Sequence, residues 1–193
     1  MRGAARSDAR RNHDRLVAAA RQVFAERGLD TPMATVARTA GLAPATLYRH
    51  FPSRAALTAA VFTGDLEGCA TLVEEALADT DPRRGLVMLL DEVAKQQIQN
   101  RAFADAFLGQ APALPAFDAL RRRTLDLLGD LVRRAKASGG LREDFSPGDV
   151  FVMLYANRGF AAMPQESAER ASNRLTALFI EACFIQPRAL QKA

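Results

Sequence analysis

The sequence predicts an all-α fold, and three observations carry that prediction. Apolar residues recur at i, i+3, i+4 and i+7 along most of the chain. No segment makes a convincing strand. Gly28, Gly41, the Gly139-Gly140 pair, Pro82 and Pro164 fall where the periodic stretches stop or start. The expected layout is a three-helix amino-terminal head, one long joining helix and a helical carboxy-terminal body.

Residues 1–11 lack periodicity and read as a flexible basic arm, either a reach towards nearby phosphates or an inert tail. A first helix is expected from Asn12 or His13 to Arg27. Leu16, Ala19, Ala20, Val23 and Phe24 form its inward stripe, and Gly28 stops it. Next comes TPMATVARTAGLAPATLYRHFPSRAAL at 31–57. Thr31 is placed to cap a helix that Pro32 opens, with Met33, Val36, Ala37 and Ala40 inward. Gly41 accepts the left-handed turn, Leu42 points to the core, and Pro44 starts a short helix with Leu47 and Phe51 inside. Thr46, Tyr48, Arg49 and His50 are left for the outside. Two short helices around a glycine turn, the second carrying cations and an aromatic, make a helix-turn-helix, which seats its second helix in the DNA major groove. The head thus spans residues 12–54 and the body residues 55–193.

Ser53 caps a long helix from Arg54 to about Ala78, with Leu57, Ala60, Val61, Leu72, Val73 and Ala76 inward; it belongs to head and body alike. Pro82 opens a helix to about Asn100 with Leu86, Leu89, Leu90 and Val93 on one face. A short segment at 101–108 carries Phe103 and Phe107, and a two-proline loop follows at 110–115. Residues 116–137 form another helix, with Phe117, Leu120, Leu128, Leu131 and Ala135 inward, ended by Gly139 and Gly140. Ser146-Pro-Gly-Asp149 reads as a capping box, with Asp in the place of Glu, opening a helix to about Met163. The last helix runs from Ser167 to about Ile185 with the stripe Ala171, Leu175, Leu178, Phe179 and Ala182.

Residues 16–62 resemble the DNA-binding segment of TetR-type (tetracycline-repressor-like) bacterial transcription regulators. The matching pieces are AA..VFAERG at 19–28, T.M..VA at 31–37, AGL at 40–42 and, most specifically, TLYRHFPSR at 46–54. The match covers about a quarter of the chain. It implies about nine helices, and phosphate contacts from Thr46, Tyr48, His50 and Arg54. Two departures matter. Ala43 stands where Ser or Thr often caps the recognition helix, a cap worth about 1 kcal/mol. Ala43, Pro44 and Ala45 also offer bases no hydrogen bond, so Pro44 is limited to apolar contact with thymine methyls. Base reading then rests on Thr35 or Arg38 from the first helix of the helix-turn-helix and on Arg49, the last either bidentate on guanine or forked onto a phosphate.

Charge supports the division. Residues 1–54 hold ten Arg against Asp8, Asp14, Glu26 and Asp30, whereas the rest of the chain is slightly acidic within an overall +4. A basic head suits a phosphate backbone, whose neutralisation supplies most non-specific affinity. There is no apolar run near 18 residues and no secretory pattern at the start, so a cytoplasmic protein without a membrane span is expected. Cys69 and Cys183 are far apart in apolar patterns and read as buried thiols.

Enzyme chemistry finds little support. His13 and His50 both fall in the head, and HExxH, CxxC, GxSxG and a phosphate-cradling glycine loop are missing from the sequence. No enzyme, metal or cofactor is expected. In the body, Gln97, Asn100, Arg101, Phe103, Phe107, Arg121 and Tyr155 would suit a pocket for a small, largely apolar molecule, or else fill a solid core. Phe151, Leu154, Ala171, Leu175, Leu178, Phe179 and Ala182 would suit a four-helix homodimer interface, or else close the monomer's own core. The expected function is a dimeric, effector-responsive regulator on a pseudo-palindromic operator, most often a repressor in the resembled family. The alternative is a DNA-binding regulator or architectural protein with no small ligand.

Overall fold

The computed structural model describes residues 2–108 and 115–184. Nine α-helices occupy them: α1 Arg2–Arg27, α2 Met33–Thr39, α3 Pro44–His50, α4 Arg54–Ala78, α5 Pro82–Gln99, α6 Arg101–Leu108, α7 Pro115–Ala137, α8 Pro147–Arg158 and α9 Gln165–Cys183. Among the described residues the β pairing consists of one isolated antiparallel bridge, Leu141 to Phe184. The all-α class and the helix order are as expected. Most of the 110–115 loop lies outside the described residues.

Two compact units emerge. The first takes α1–α3, α4 as far as Leu66, α6 from Ala102, and the opening turn of α7 to Ala119. The second takes α4 from Glu67, α5, α7 from Leu120, α8 and α9. The division expected after residue 54 therefore falls later, inside α4.

In the first unit the inward stripes behave as their spacing requires. Leu16, Ala20, Phe24, Val36, Ala37, Leu47, Leu57, Val61 and Leu66 are each almost fully buried. Each large one contributes about 1.5–3 kcal/mol of burial. Gly28 and Gly41 carry φ of +80° and +64°, the left-handed geometry that ends α1 and α2. Phe24, Phe62, Phe103 and Phe107 form a ladder with successive ring centroids 6.3, 5.9 and 5.9 Å apart, which binds α6 into this unit.

Two expectations are corrected here. The arm expected at 1–11 is helical from Arg2, because Ala and Arg dominate it and both are strong helix formers. Thr31 does not cap α2; Pro32 occupies the cap position, and the Thr31 hydroxyl donates to the Gly28 carbonyl at 3.0 Å, closing the preceding turn. Helix α4 also modifies the membrane expectation. By length and composition it could cross a bilayer, with a mean hydropathy of 1.2. Its apolarity is accounted for by the core it lines through Leu57, Val61, Phe62 and Leu66.

In the second unit, Asp81 caps α5 by accepting from the Arg83 and Arg84 backbone N–H groups at 3.0 and 3.3 Å. The Arg84 guanidinium forks onto Asp79 at 2.6 and 2.9 Å and holds that carboxyl below its ordinary value. Asp149 does reach back, accepting from the Ser146 N–H and hydroxyl at 2.7 and 2.8 Å. Helix α8 stops at Arg158, earlier than expected, and passes into a 3-10 turn at Gly159–Ala162.

Helix α9 does not use its bulky stripe to close the monomer's own core. Its buried residues are Ala168, Ser172, Thr176 and Cys183, small groups that let it pack along α5. Leu178 is 45% exposed, Ala182 is exposed, and Ala171, Leu175 and Phe179 are half-buried. The bulkier stripe is therefore left at the surface.

Gly85 sets how closely α5 approaches α4. A Cβ there would lie 2.3 Å from the Ala76 carbonyl oxygen, a rigid backbone atom. Gly85→Ala gains about 1 kcal/mol of helix propensity but must separate the helices. We expect a net loss of about 1–3 kcal/mol in urea-melt stability.

Candidate nucleic-acid interface

Helices α2 and α3 are joined by a turn held by backbone bonds, Gly41 N–H to Arg38 O at 3.0 Å and Leu42 N–H to Ala37 O at 2.9 Å. Pro44 opens α3, and Ala43 supplies no side-chain cap, as expected. Leu47 is fully buried and Phe51 nearly so, which fixes the rotation of α3 about its axis. Tyr48 is then 53% exposed, Pro44 and Arg49 are exposed, and Thr46 and His50 are half-buried. From α2, Arg38 is exposed and Thr35 half-buried. Neither the Arg38 nor the Arg49 guanidinium makes an ion pair or hydrogen bond within the described residues. Both guanidiniums can therefore meet an external acceptor without first breaking an internal contact.

Other arginines of the head hold the scaffold. Arg15 on α1 donates to the Ala40 carbonyl at 2.7 Å, at the end of α2. Arg21 donates to Asp65 at 2.9 Å and to the Val61 carbonyl, with its guanidinium 5.7 Å from the Phe62 ring centroid. Arg54, expected on a phosphate, is instead half-buried and donates to the carbonyls of Leu29 and Thr31, the latter at 2.6 Å. Open turn carbonyls next to a helix start explain that change. His50 faces inward as well as outward: its ring lies 6.2 Å from that of His13, which lies 5.0 Å from Phe51.

The residues expected to line a pocket do not share one unit. Phe103 and Phe107 belong to the first, and Gln97, Asn100, Arg101, Arg121 and Tyr155 to the second. Gln97 is buried, donating to the Leu154 carbonyl at 2.8 Å and accepting from Asn157 at 2.9 Å. Tyr155 is 53% exposed. Asn157, fully buried, was not singled out from the sequence; a lone amide in an apolar helix gives little warning. Arg15, Arg21 and Asp65 were missed for a similar reason, since their partners are distant in sequence. Among the candidate interface residues Leu154 is 9% exposed and takes the alternative place in the monomer's own core, beside Asn157, which donates to the Ala94 carbonyl of α5.

The fold and the exposed helix-turn-helix together define a DNA-binding regulator. Residues 16–61 match the model for bacterial regulatory proteins of the tetR family, and residues 81–181 match the SbtR-like transcriptional regulator carboxy-terminal domain. The chain belongs to the TetR family of bacterial transcription regulators. It is similar to PfmR, a TetR family regulator from Thermus thermophilus, at 25% identity and a TM-score of 0.67, covering 93% of this chain and 97% of that one. It is similar to the TetR regulator SCO0520 from Streptomyces coelicolor at 29% identity and a TM-score of 0.52, covering 89% and 98%. FadR from Bacillus subtilis, solved with stearoyl-CoA, shares the fold at 16% identity and a TM-score of 0.64, covering 86% and 96%. No curated protein matches the chain.

Three variants distinguish the exposed contact side chains from the structural arginine. Arg49→Ala should cost about 1–3 kcal/mol on a specific site and relax preference at one base pair if it reads guanine, whereas Tyr48→Phe should weaken all sequences alike. Gel-shift titrations over a salt series separate these. Arg54→Ala should instead lower the melting temperature, since two carbonyls lose their donor, and leave the salt dependence of DNA binding close to wild type.

Proposed function

We propose that the protein is a homodimeric repressor that leaves its operator when a small, largely apolar molecule binds the body. The observation that carries the DNA-binding part is the pair of exposed, unpartnered guanidiniums, Arg38 and Arg49, beside Tyr48 on one short helix-turn-helix. One such helix reads only a few base pairs, so a specific site needs two heads on a pseudo-palindrome. The surface stripe of α9, with half-buried Phe151 on α8, supports a face for the second copy. Thr35, as a further base contact, and Pro44, Thr46 and His50, through apolar or phosphate contacts, complete the proposed contact surface. A DNA-bound regulator of this kind works in the cytoplasm, and this reading assigns it no catalytic step.

Coupling in this proposal runs along the chain. Helix α4 passes from the first unit into the second at Leu66, and α6 continues from α5 while its aromatic ladder packs in the first unit. An effector that shifts α4 or α6 would thus reach the head through covalent continuity. It must prefer the state that cannot bind DNA, because equal affinity for both states shifts nothing. Operator DNA must then weaken effector binding by the same factor. A ligand-free regulator is the second reading, favoured by the use of Gln97 inside a buried hydrogen-bond network rather than at a pocket wall. Screening apolar metabolites for thermal stabilisation together with operator release decides between them.

Leu178→Arg should convert the dimer to a monomer in sedimentation while helical content stays at wild-type level, and should weaken operator binding through loss of the second head. A wild-type chain that sediments as a monomer at micromolar concentration would remove the dimer from this reading.

A further inference from the structure

Within the second unit a groove of about 410 Å³ runs between α4 and α5, lined mainly by carbon. Leu72 and Ala76 of α4 and Leu89 of α5 contribute to its apolar lining, together with Met88, a methionine left 60% exposed. That volume lies in the range of small-ligand sites. Every charged residue lining it is a carboxylate. Two of these are internally matched: Asp79 by the Arg84 fork, and Glu92 by Lys95 at 3.8 Å and the Gln96 amide at 3.0 Å. Glu75 on α4 and Asp91 on α5 are not; neither carboxylate has an ion pair or hydrogen bond within the described residues. Both side chains are exposed at the rim of the groove, and partial desolvation pushes the Asp91 carboxyl above its ordinary value.

We propose that this groove binds an amphiphilic organic cation, its apolar body against Leu72, Ala76, Leu89 and Met88 and its positive centre between Glu75 and Asp91. Charge complementarity selects the sign, and the carbon lining selects a weakly hydrated cation over a metal ion or a free ammonium. Length selects a small molecule over a protein partner. The α4 wall, residues 72–79, is about 12 Å long at 1.5 Å per residue, which is too short to seat a helix with the area a stable complex needs. The binding claim does not rest on the regulator reading.

Calorimetric titration of the full chain with tetraphenylphosphonium and with tetraphenylborate tests it, since the two ions share size and apolar surface and differ in sign. One phosphonium per chain is expected, bound at least about tenfold more tightly than the borate. Asp91→Asn and Glu75→Gln should each weaken the phosphonium about fivefold, and Glu166→Gln on α9 should leave it unchanged. Met88→Lys, which supplies a cation from the chain itself, should abolish binding; circular dichroism checks that each variant folds, and the two isosteric variants decide if the lysine variant does not. Equal affinity for the two ions, or phosphonium binding indifferent to both isosteric variants, overturns the proposal. A basic amphipathic peptide that binds more tightly than the phosphonium, and loses its affinity with Asp91→Asn, overturns it in favour of a protein partner.

Discussion

Short helices leave carbonyl groups unpaired at their ends, and the head of this protein depends on how arginine satisfies them. Helices α2 and α3 are seven residues each, so most of their backbone lies within a turn of an end. From α1, Arg15 reaches the Ala40 carbonyl that closes α2, and Arg54 reaches the turn before α2 from the start of α4. Arg21 then ties α1 to the middle of α4 through Asp65 and the Val61 carbonyl. These side chains suit the task because guanidinium stays charged and offers five donors in a fixed fork. The hydrophobic stripes set which faces meet, and the arginines set the angles at which they meet.

That division of labour changes the meaning of the basic head. Its surplus of Arg over acids looks, in composition, like a uniform attraction for phosphate. In three dimensions part of the surplus is internal, and within the helix-turn-helix Arg38 and Arg49 keep guanidiniums with no internal partner among the described residues. Charge counting alone cannot sort the two kinds, since the sorting depends on which carbonyls folding leaves open.

Much of the fold was legible because it is written in period and punctuation. The α2 stripe, the Gly41 turn, the Pro44 start, the Ser53 and Asp149 caps and the order of helices all follow from local rules, and Ser53 does accept from the Ala56 N–H at 3.1 Å. What local rules could not supply was choice between competing faces. Helix α9 carries a bulky apolar stripe and a small mixed one, and hydrophobicity favours burying the first. Close packing against α5 favours the second, because Ala168, Ser172 and Thr176 permit a nearer approach than Leu or Phe would. The buried pairing of Leu154 on α8 with Gln97 on α5, through the Leu154 carbonyl, has the same cause, since which faces meet is set by tertiary packing. The apolar length of α4 likewise reflects one helix lining core along much of its course, a fact of tertiary structure that residue counting meets only as raw hydropathy.

The two-sided chemistry of α9 carries a consequence for divergence. The side that holds the monomer together is made of small groups, for which few substitutes fit. The side that faces outward is made of large groups with room to vary. In the proposed dimer, exchanges at Leu175, Leu178 or Phe179 would therefore change which surfaces recognise one another while the interior packing stays as it is. Duplicated copies of such a gene could separate into non-mixing assemblies by drift on one helix face, without passing through an unfolded ancestor.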